Sequence, residues 1–369
     1  MGRVREIWYV RRAMGGAFRY ANPPVIRWGE GSVQELPAEV ERLGGTGVAL
    51  VTTRSLAGNP AIIDRVCALL PTDPPVRTVT IGQHAPAAEI EQAVADVAGH
   101  GLNAIVSLGG GSPIDAAKII ARSVADRSGE ATPTLPHIAV PTTLSTAELA
   151  SGAGFTDPDG NKVGRRDPRM LPDCVIYDGE LATSTPLPLW LSTGIRALDH
   201  AVETYLAPEE HPFSDVLALE AVRRLFLGLP DARAHPEDAG IRTDNQLAAW
   251  FSYTLPGPAA AGLSHTMGKQ IGARHGIPHG VTSCLLLPHV MRYAAESQPA
   301  RLAALSEATG SGGGPLAAAD DVQRLVGSLE LPQHLAAYGL SEPQLRAAAD
   351  ALGGTYPAAD LLRIYLAAL

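Results

Sequence analysis

The sequence predicts an α/β domain with a Rossmann-like parallel sheet, followed by an all-α domain. In the first half of the chain, short apolar runs alternate with segments of helical periodicity, in a βαβα rhythm. These runs are almost continuously apolar, as expected for parallel strands that helices cover on both faces. A length of 369 residues suits two domains. We place them at residues 15–188 and 189–369, and we expect residues 1–14 to be a disordered extension.

The first domain alternates predicted strands with predicted helices. Each predicted strand is a short apolar run, and the helix predictions use N-terminal signals such as Ser32 and Pro60. The predicted strands are Val25–Trp28, Gly47–Thr52, Val76–Ile81, Ala104–Leu108, His137–Val140 and Cys174–Tyr177. The predicted helices are Ser32–Leu43, with Ser32 as its N-cap, Pro60–Leu70, Pro86–Ala98 and Ser112–Val124.

The segment 141–185 breaks this rhythm. Asp157-Pro-Asp-Gly160 is a strong turn signal between two short extended runs, so we expect a small hairpin of Ala153–Thr156 and Lys162–Val163 on the rim of the sheet. Pro186-Leu-Pro188 marks the domain boundary. The helices predicted after it are 190–206, 213–228, 240–254, 261–273, 280–297, 299–308, 315–329, 343–351 and 358–368.

Composition excludes several classes of protein. A hydrophobic content of 46% and a charged content of 18% are typical of a globular chain. The net charge of −9 argues against a nucleic-acid partner, because no basic excess exists to neutralise phosphates. No apolar run is long enough to predict a membrane span. Three unclustered cysteines, Cys67, Cys174 and Cys284, indicate free buried thiols in a reducing compartment, so we expect a cytoplasmic protein.

The run Gly109-Gly110-Gly111-Ser112 lies between a predicted strand and a predicted helix. Glycines at such a position let the backbone approach a phosphate, and the N–H groups and dipole of the helix N-terminus bind the anion. Ser112 can cap the helix or donate to a phosphate oxygen. A tight turn without a ligand is the alternative, but the strand–loop–helix context favours a nucleotide site.

Three further positions bear on a nucleotide. Asp115 and Lys118 are three residues apart on the same helix, so they form either a surface ion pair or a group near the ring end of the cofactor. The hydroxyls of 141–146 follow a strand whose carboxyl end is where ligands bind, although capping of the next turn explains them equally well. Thr53 and Arg54 end the second strand without a carboxylate, so NADPH should be accepted beside NADH.

The densest chemistry lies between Gly262 and His279. His265 and Lys269 are four apart and therefore share one helix face, and His279 follows a turn and opens the next helix. Such groups bind a metal, hold a substrate anion or relay protons. The remaining histidines considered have no spacing partner, and we assign them to packing or to the surface: His211, His275 and His289.

Together these motifs resemble the iron-containing alcohol dehydrogenase superfamily, whose fold is shared with dehydroquinate synthase. The matching segments are Gly109–Lys118, Pro141–Thr146, Gly262–His265 and Pro278–Gly280, and the resemblance runs from about residue 20 to the end. The stretch 164–178 is similar to the maleylacetate reductase branch, whose members reduce a conjugated carbon–carbon double bond with NADH or NADPH. The resemblance implies cofactor contacts from Gly110, Gly111, Ser112, Asp115, Thr142, Thr143, Thr146 and Lys162.

One departure from the family pattern changes the expected chemistry. Where the family has an aspartate as its first metal ligand, this chain has Arg196, while His200, His265 and His279 match the three histidine ligands. A guanidinium ~4 Å from a divalent ion costs several kcal/mol even with screening, so we expect no bound metal. Asp199 should not substitute, because it projects about 100° away from His200 on a helix. We expect it to pair with Arg196 or a neighbouring helix.

A metal-free site needs another group to hold a substrate oxygen. Arg196 offers a bidentate fork for a carboxylate, and Lys269, which stands where many relatives have a histidine, can donate a proton if its pKa is lowered. In the alternatives without a catalytic role, Arg196 forms a structural ion pair with Asp199 or Glu203, and Lys269 is a solvated helix residue. Tyr253 is placed to reach the pocket, but no pattern requires it.

We therefore expect an NAD(P)H-dependent reductase of a small carboxylate-bearing carbonyl or enoyl substrate, acting as a homodimer. Its catalytic set is Lys269, His265, His279, His200 and Arg196, and Thr53 joins the cofactor-binding set. Three alternatives stay open. They are an iron- or zinc-dependent alcohol dehydrogenase that uses the three histidines, an enzyme of non-redox elimination or cyclisation, and a nucleotide-binding regulatory protein.

Overall fold

The computed structural model describes residues 20–254 and 262–369, except for residues 72, 74, 128, 130, 209, 210 and 355 and the side chain of residue 273. The predicted extension 1–14 and the predicted helix start at residue 261 lie outside the described residues. Everything below concerns the described part of the chain.

A six-stranded parallel sheet organises the first half of the chain. Its order is β1-β8-β5-β4-β2-β3, and every neighbouring pair is parallel. The predicted strands are confirmed to within one residue at each end. They are β1 Val25–Trp28, β2 Val48–Thr53, β3 Arg77–Ile81, β4 Ala104–Gly109, β5 His137–Pro141 and β8 Cys174–Tyr177.

Alternate residues of the central strands enter two separate cores, because successive side chains of a strand point to opposite faces. In β2, Ala49 and Val51 pack on one face and Val48 and Leu50 on the other. The covering helices are confirmed, and two short helices (α2 and α6) were not predicted. The helices of this half are α1 Leu36–Arg42, α2 Arg54–Ala57, α3 Pro60–Cys67, α4 Ala87–Gly99, α5 Gly111–Asp126 and α6 Gly179–Ala182.

The prediction that Ser32 caps the first helix is wrong. The chain enters α1 through a 3-10 turn, Ser32–Glu35, whose N-cap is Gly31. The Ser32 hydroxyl instead donates to the Tyr177 carbonyl oxygen at 3.0 Å. The Val33 N–H is satisfied by Asp178 Oδ2 at 2.9 Å. The start of the helix is therefore fixed by a distant strand end and not by a local serine cap.

The predicted rim hairpin is confirmed. Strands β6 Gly152–Thr156 and β7 Lys162–Arg166 pair antiparallel across the predicted turn. At the turn, Asp157 Oδ1 accepts the N–H groups of Asp159 at 3.0 Å and Asn161 at 2.7 Å. An aspartate that bonds its own following backbone is the expected device for such a turn.

The second half of the described chain is helical, as predicted. Its helices are α7 Leu187–Leu206, α8 Pro212–Ala234, α9 Ala239–Ser252, α10 Leu263–His275, α11 His279–Ser297, α12 Pro299–Ala308, α13 Ala317–Ser328, α14 Glu342–Ala351 and α15 Ala358–Ala367. None of the helices in the described residues is long and apolar enough to cross a bilayer.

Helix α7 is the central helix of this half, and it is buried almost continuously from Trp190 to Tyr205. It packs against α8, α9 and α11. A Cβ atom at Gly194 would lie 2.3 Å from Leu229 Cδ2, so a glycine is required where α7 and α8 meet. A helix buried on all sides must provide partners for its polar residues. Those of α7 converge on one place, which is the candidate site.

Candidate active site

Four polar residues of α7 lie at the candidate site: Arg196, Asp199, His200 and Glu203. All four are buried, and Asp199 is fully inaccessible. Their spacing of three or four residues puts Arg196, Asp199 and Glu203 on one face of the helix. Burial of charged groups is tolerated when they are paired and hydrogen-bonded, so their partners decide what the site can do.

Asp199 holds a small network that joins α7 to α10 and α11. Its Oδ2 accepts the hydroxyl of Ser283 at 2.6 Å and that of Ser264 at 3.0 Å. Arg196 Nη1 donates to Ser283 Oγ at 3.2 Å and lies 3.9 Å from Asp199 Oδ2. The expected pairing of Arg196 with Asp199 is thus present, and Ser283 lies between the two groups. Sequence reasoning missed both serines, although Ser283 follows His279 by one helical turn.

Glu203 accepts hydrogen bonds from backbone N–H groups at the start of α10. Its carboxylate accepts the N–H of Gly262 at 2.9 Å and that of His265 at 3.1 Å. Its Oε2 also lies 2.6 Å from His265 Nδ1, although this contact lacks the alignment of a hydrogen bond. These contacts explain why the backbone can enter α10 at this point, since the first N–H groups of a helix need acceptors. Sequence reasoning considered Glu203 only as an alternative partner of Arg196.

His200 lies between the two halves of the chain. Its Nδ1 is 3.1 Å from Thr146 Oγ1, its ring stacks at a tilt on His265 with centroids 4.5 Å apart, and Tyr253 packs edge-on at 5.2 Å. Thr146 itself adopts a left-handed backbone with φ of 60°. The structure therefore joins the predicted hydroxyl motif directly to the predicted histidine cluster, and it brings Tyr253 to the pocket.

The site's histidines are held neutral. Burial, together with the positive charge of Arg196, lowers the pKa of His265 to about 3. Burial is also the main cause of the strongly lowered pKa values of His200 and His279, again with Arg196 contributing. The pKa of Lys269 is lowered by partial desolvation and by Arg196. Neutral imidazoles beside a cation can accept a hydrogen bond without adding positive charge.

The buried carboxylates shift the other way. Burial raises the pKa of Asp199 to about 6, with the charge of Glu203 as second cause. Burial raises the pKa of Glu203 to about 7 against the lowering effect of the backbone N–H groups and of Arg196. Shifts of this kind, caused by desolvation in a cleft, are typical of functional sites but also of structural networks.

Two further cations belong to the same cleft and come from the rim hairpin. Arg166 is close enough to Tyr253 and Lys269 for its positive charge to affect their pKa values, and Lys162 is close enough to His279 to affect its pKa value. Arg166 and Lys162 are exposed, in contrast to Arg196. Lys162 was predicted as a cofactor contact, whereas Arg166 was missed. Alternation along β7 was the available signal, because residues 162, 164 and 166 share one face of the strand.

One trio of possible metal donors converges among the described residues. It consists of Asp199, Glu203 and His265, whose donor atoms lie within 4.8 Å of one another. The three histidines considered as alternative ligands do not form such a group in the part of the chain that the structure describes. Asp199 diverges from His200 as expected, since it bonds to Ser264 and Ser283 while His200 lies against Thr146. Its Oδ2 nevertheless lies 3.5 Å from His265 Nδ1.

The predicted glycine loop has the geometry of a close-approach site. Gly109 has a φ of 136°, which favours glycine, and a Cβ at Gly110 would lie 3.0 Å from Thr143 Cγ2. The hydroxyls of Thr143 and Ser145 are buried beside the loop and have no hydrogen-bond partner among the residues that the structure describes. A Cβ at Gly111 would meet Ser145 Oγ at 3.5 Å. The buried hydroxyls of Thr143 and Ser145, both in the predicted hydroxyl motif 141–146, thus lie beside the N–H groups at the start of the helix.

Ser112 and Thr142 are tied into the scaffold around that loop. Ser112 Oγ accepts the N–H of His84 at 3.0 Å, so its own proton remains available for a phosphate oxygen. Both His84 and Ala85 have a left-handed backbone, with φ of 64° and 51°. The N–H of Thr142 donates to the Gly109 carbonyl at 2.9 Å. Sequence reasoning gave no sign of His84.

Lys118 is not part of a surface ion pair. Its side chain is fully buried, and its Nζ donates to Asp115 Oδ1 at 3.2 Å, to the Ala147 carbonyl at 2.5 Å and to the Gly152 carbonyl at 2.8 Å. Asp115 Oδ2 accepts the Gly154 N–H at 3.0 Å. The pair therefore locks α5 to the hairpin, and Asp115 remains partly exposed towards the cleft.

Thr53 has a local role at the end of β2. Its hydroxyl caps α2 by accepting the Leu56 N–H at 3.3 Å, and it lies 3.0 Å from Ser55 Oγ. The neighbouring Arg54 is paired with Glu89 of α4. The prediction of buried free thiols is confirmed for Cys174 and Cys284, whereas Cys67 is only half-buried.

Comparison with known proteins agrees with this architecture. Residues 23–179 match the family described as iron-containing alcohol dehydrogenase, and residues 190–354 match the C-terminal part of the Fe-containing alcohol dehydrogenase family. Maleylacetate reductase 2 of Cupriavidus pinatubonensis is 33% identical over 294 residues, which is 79% of this chain and 77% of the relative.

Two solved structures extend the comparison to the whole fold. A 1,3-propanediol oxidoreductase superposes with a TM-score of 0.87 at 26% identity, covering 96% of this chain and 100% of that one. The maleylacetate reductase of Agrobacterium tumefaciens superposes with a TM-score of 0.82 at 27% identity, covering 96% and 99%. The chain belongs to the iron-containing alcohol dehydrogenase superfamily, near its maleylacetate reductase branch, and is an oxidoreductase that uses a nicotinamide cofactor.

Proposed function

We propose that this enzyme reduces a small carboxylate-bearing carbonyl or enoyl substrate with NADH or NADPH, without a bound metal. The observation that carries the proposal is the buried guanidinium of Arg196 among three neutral histidines, at a cleft that three more cations border. A pocket of this charge in a chain of net charge −9 suits an anionic substrate. A maleylacetate-like substrate meets this requirement, and the similarity to maleylacetate reductases supports it.

The buried donor atoms of Asp199, Glu203 and His265 do not suit the iron that the family name implies. Asp199 and Glu203 already accept hydroxyl or N–H protons, and the 2.6 Å contact of Glu203 Oε2 with His265 Nδ1 leaves no space for an ion between them. Two ligands each ~2.1 Å from a tetrahedral ion lie roughly 3.4 Å apart. Arg196, 3.9 Å from Asp199, adds repulsion. The proposed reaction therefore uses no metal.

The residues of the cleft provide binding and a proton. The nicotinamide supplies the hydride. Arg196 holds a substrate oxygen, and its bidentate geometry suits a carboxylate or the oxygen that becomes negative on reduction. Lys269, whose pKa is lowered by partial desolvation and by Arg196, gives a proton to the atom that hydride addition makes basic. Because Lys269 retains contact with solvent, water can reprotonate it. His265, His200 and His279 complete the pocket as neutral acceptors.

The glycine loop and its surroundings are the proposed cofactor site. Gly109, Gly110, Gly111 and Ser112 would hold the pyrophosphate, with the buried unpartnered hydroxyl of Thr143 beside them. The residues assigned to the nicotinamide end are Asp115, Thr142, Thr146 and Lys162. Thr53 would border the adenosine ribose. We propose further that the enzyme is a cytoplasmic homodimer with a domain boundary at 188.

The test combines metal analysis with turnover. Protein purified without chelator should contain much less than one equivalent of iron or zinc, and it should oxidise NADH or NADPH with maleylacetate equally well before and after EDTA. The rival is a metal-dependent alcohol dehydrogenase in which His200, His265 and His279 hold iron or zinc. About one equivalent of bound metal together with activity lost to EDTA would establish that rival and overturn the proposal.

A further inference from the structure

A group of four residues lies at the carboxyl ends of β2 and β3: Thr53, Arg54, Gly82 and Glu89, which we call the ribose corner. The Gly82 N–H donates to Glu89 Oε2 at 2.6 Å. The other oxygen, Oε1, is paired with Arg54 Nη2. Glu89 thus reaches from the first turn of α4 to the strand ends and places a carboxylate there.

The ribose corner adjoins the proposed cofactor site. Strand β2 pairs with both β3 and β4, and β4 leads into the glycine loop. A Cβ at Gly109 would lie 3.3 Å from Leu56 Cδ1 and 3.8 Å from Thr53 Cγ2, so the loop packs on the start of α2. In dinucleotide-binding sheets, a carboxylate near the glycine loop accepts the 2′-hydroxyl of the adenosine ribose. Here β2, the neighbour of β4, brings the ribose corner to that place.

We infer that Glu89 determines cofactor specificity and makes the enzyme prefer NADH to NADPH. The carboxylate accepts a hydrogen bond from the free 2′-hydroxyl of NADH and repels the 2′-phosphate of NADPH. It also engages Arg54, which would otherwise bind that phosphate. The sequence pattern at Thr53 and Arg54 predicts acceptance of NADPH only because the carboxylate comes from a residue 35 positions away. The inference rests on the proposed placement of the cofactor on the glycine loop.

The geometry of Gly82 separates this pair from an ordinary surface ion pair. Exposed pairs are usually mobile and contribute little. Here the backbone N–H of Gly82 fixes the carboxylate. A Cβ at Gly82 would lie 3.1 Å from Arg54 Nη1 and 3.2 Å from Glu89 Oε2, so the two side chains close over a residue without a side chain. The Glu89 side chain is only 28% exposed, while that of Arg54 is 66% exposed and accessible to a ligand.

The test measures nucleotide binding and does not depend on the substrate. Dissociation constants of NADH and NADPH are determined by cofactor fluorescence for the wild type, Glu89→Gln and Asp96→Asn. Asp96 is the matched control, because it lies on the same helix and pairs with Arg77 at the opposite end of β3. We expect the wild type to prefer NADH. Glu89→Gln should shift the ratio towards NADPH by about tenfold, equivalent to about 1.4 kcal/mol. Asp96→Asn should leave the ratio unchanged.

Two further variants separate the possible failures. Adding Arg54→Gln to Glu89→Gln should remove the gain in NADPH binding. Gly110→Ala should weaken the binding of both nucleotides. If Gly110→Ala weakens both but Glu89→Gln leaves the ratio within about twofold of the wild type, the inference is wrong and the cofactor placement stands. If Gly110→Ala leaves both unchanged, the placement is wrong, and the inference fails with it.

Discussion

Replacement of Arg196 by glutamine is the sharpest perturbation of the proposed site. The guanidinium is 8% exposed, donates to Ser283 and lies 3.9 Å from Asp199. Glutamine keeps a hydrogen-bond donor on a shorter side chain and removes the charge. The carboxylates left behind have raised pKa values of about 6 for Asp199 and about 7 for Glu203. They can therefore take up a proton when the cation is lost, and we expect the variant to fold.

The expected magnitude follows from the interaction that is removed. A hydrogen bond to a charged group contributes about 1.5–3 kcal/mol. If Arg196 holds a substrate carboxylate, kcat/KM should fall by about 10- to 150-fold, since each 1.4 kcal/mol is a factor of ten. The loss should be confined to substrates that carry a carboxylate. An uncharged aldehyde substrate should lose much less.

The assay is steady-state oxidation of NADH with maleylacetate and with an uncharged aldehyde, alongside nucleotide binding and thermal unfolding. Arg223→Gln is the matched control, because Arg223 forms a pair of the same three-residue spacing with Glu220 on an exposed helix face. The control should behave as the wild type. A kcat/KM for maleylacetate within about threefold of wild type in folded Arg196→Gln, or an equal loss for both substrates, would refute the reasoning.

Three further predictions concern neighbouring groups. Burial raises the pKa of Glu148 to about 7 from its ordinary 4.5, so the folded state binds its proton more tightly and stability should fall by up to about 3 kcal/mol as pH rises from 4.5 through 7. Glu148→Gln, which keeps an acceptor for the Tyr177 hydroxyl, should flatten that part of the pH dependence of Tm. Thr146→Val removes the hydroxyl that lies 3.1 Å from His200 Nδ1, and it should lower kcat by about five- to tenfold. Thr146→Ser keeps the hydroxyl and should not lower kcat. An unchanged kcat in the valine variant would exclude a role for this contact. Arg196→Asp restores an acidic residue at the family's ligand position, so it should bind Zn²⁺ or Co²⁺ by metal analysis and absorption where the wild type does not; equal binding by both proteins would contradict the metal-free site.

The sheet was predictable mainly because its central strands are buried on both faces. A strand such as β4, with all six residues buried, has to be a continuous apolar run, and such runs are visible in the sequence. The start of the first helix was not predictable in the same way. Ser32 has the residue type of an N-cap, but its hydroxyl bonds to Tyr177, which is 145 residues away. Local residue propensity contains no information about a hydrogen-bond partner that only the folding of the sheet brings close to Ser32.

The same distinction applies to the candidate site, where local spacing predicts some contacts and others depend on tertiary packing. His265 and Lys269 share a helix face, so their proximity follows from spacing alone. The contributions of Ser264, Ser283 and Arg166 depend on how three separate elements meet, and no spacing rule describes that meeting. Lys118 shows the opposite error: a three-residue spacing predicts an ordinary surface pair, but the hairpin covers it completely.

Asp199 shows why the angle between neighbours on a helix is a weak guide to a buried site. Asp199 and His200 do diverge, since one bonds to Ser264 and Ser283 and the other to Thr146. Both nevertheless approach His265, because α10 crosses α7 and presents its imidazole between them. Divergence along one helix therefore does not prevent convergence on a residue of another. What distinguishes the two positions is charge: Asp199 balances the buried Arg196, which a neutral His200 cannot do. The buried charges of Arg196 and Asp199 are thus physically coupled in this chain, because a buried guanidinium without a carboxylate would be uncompensated.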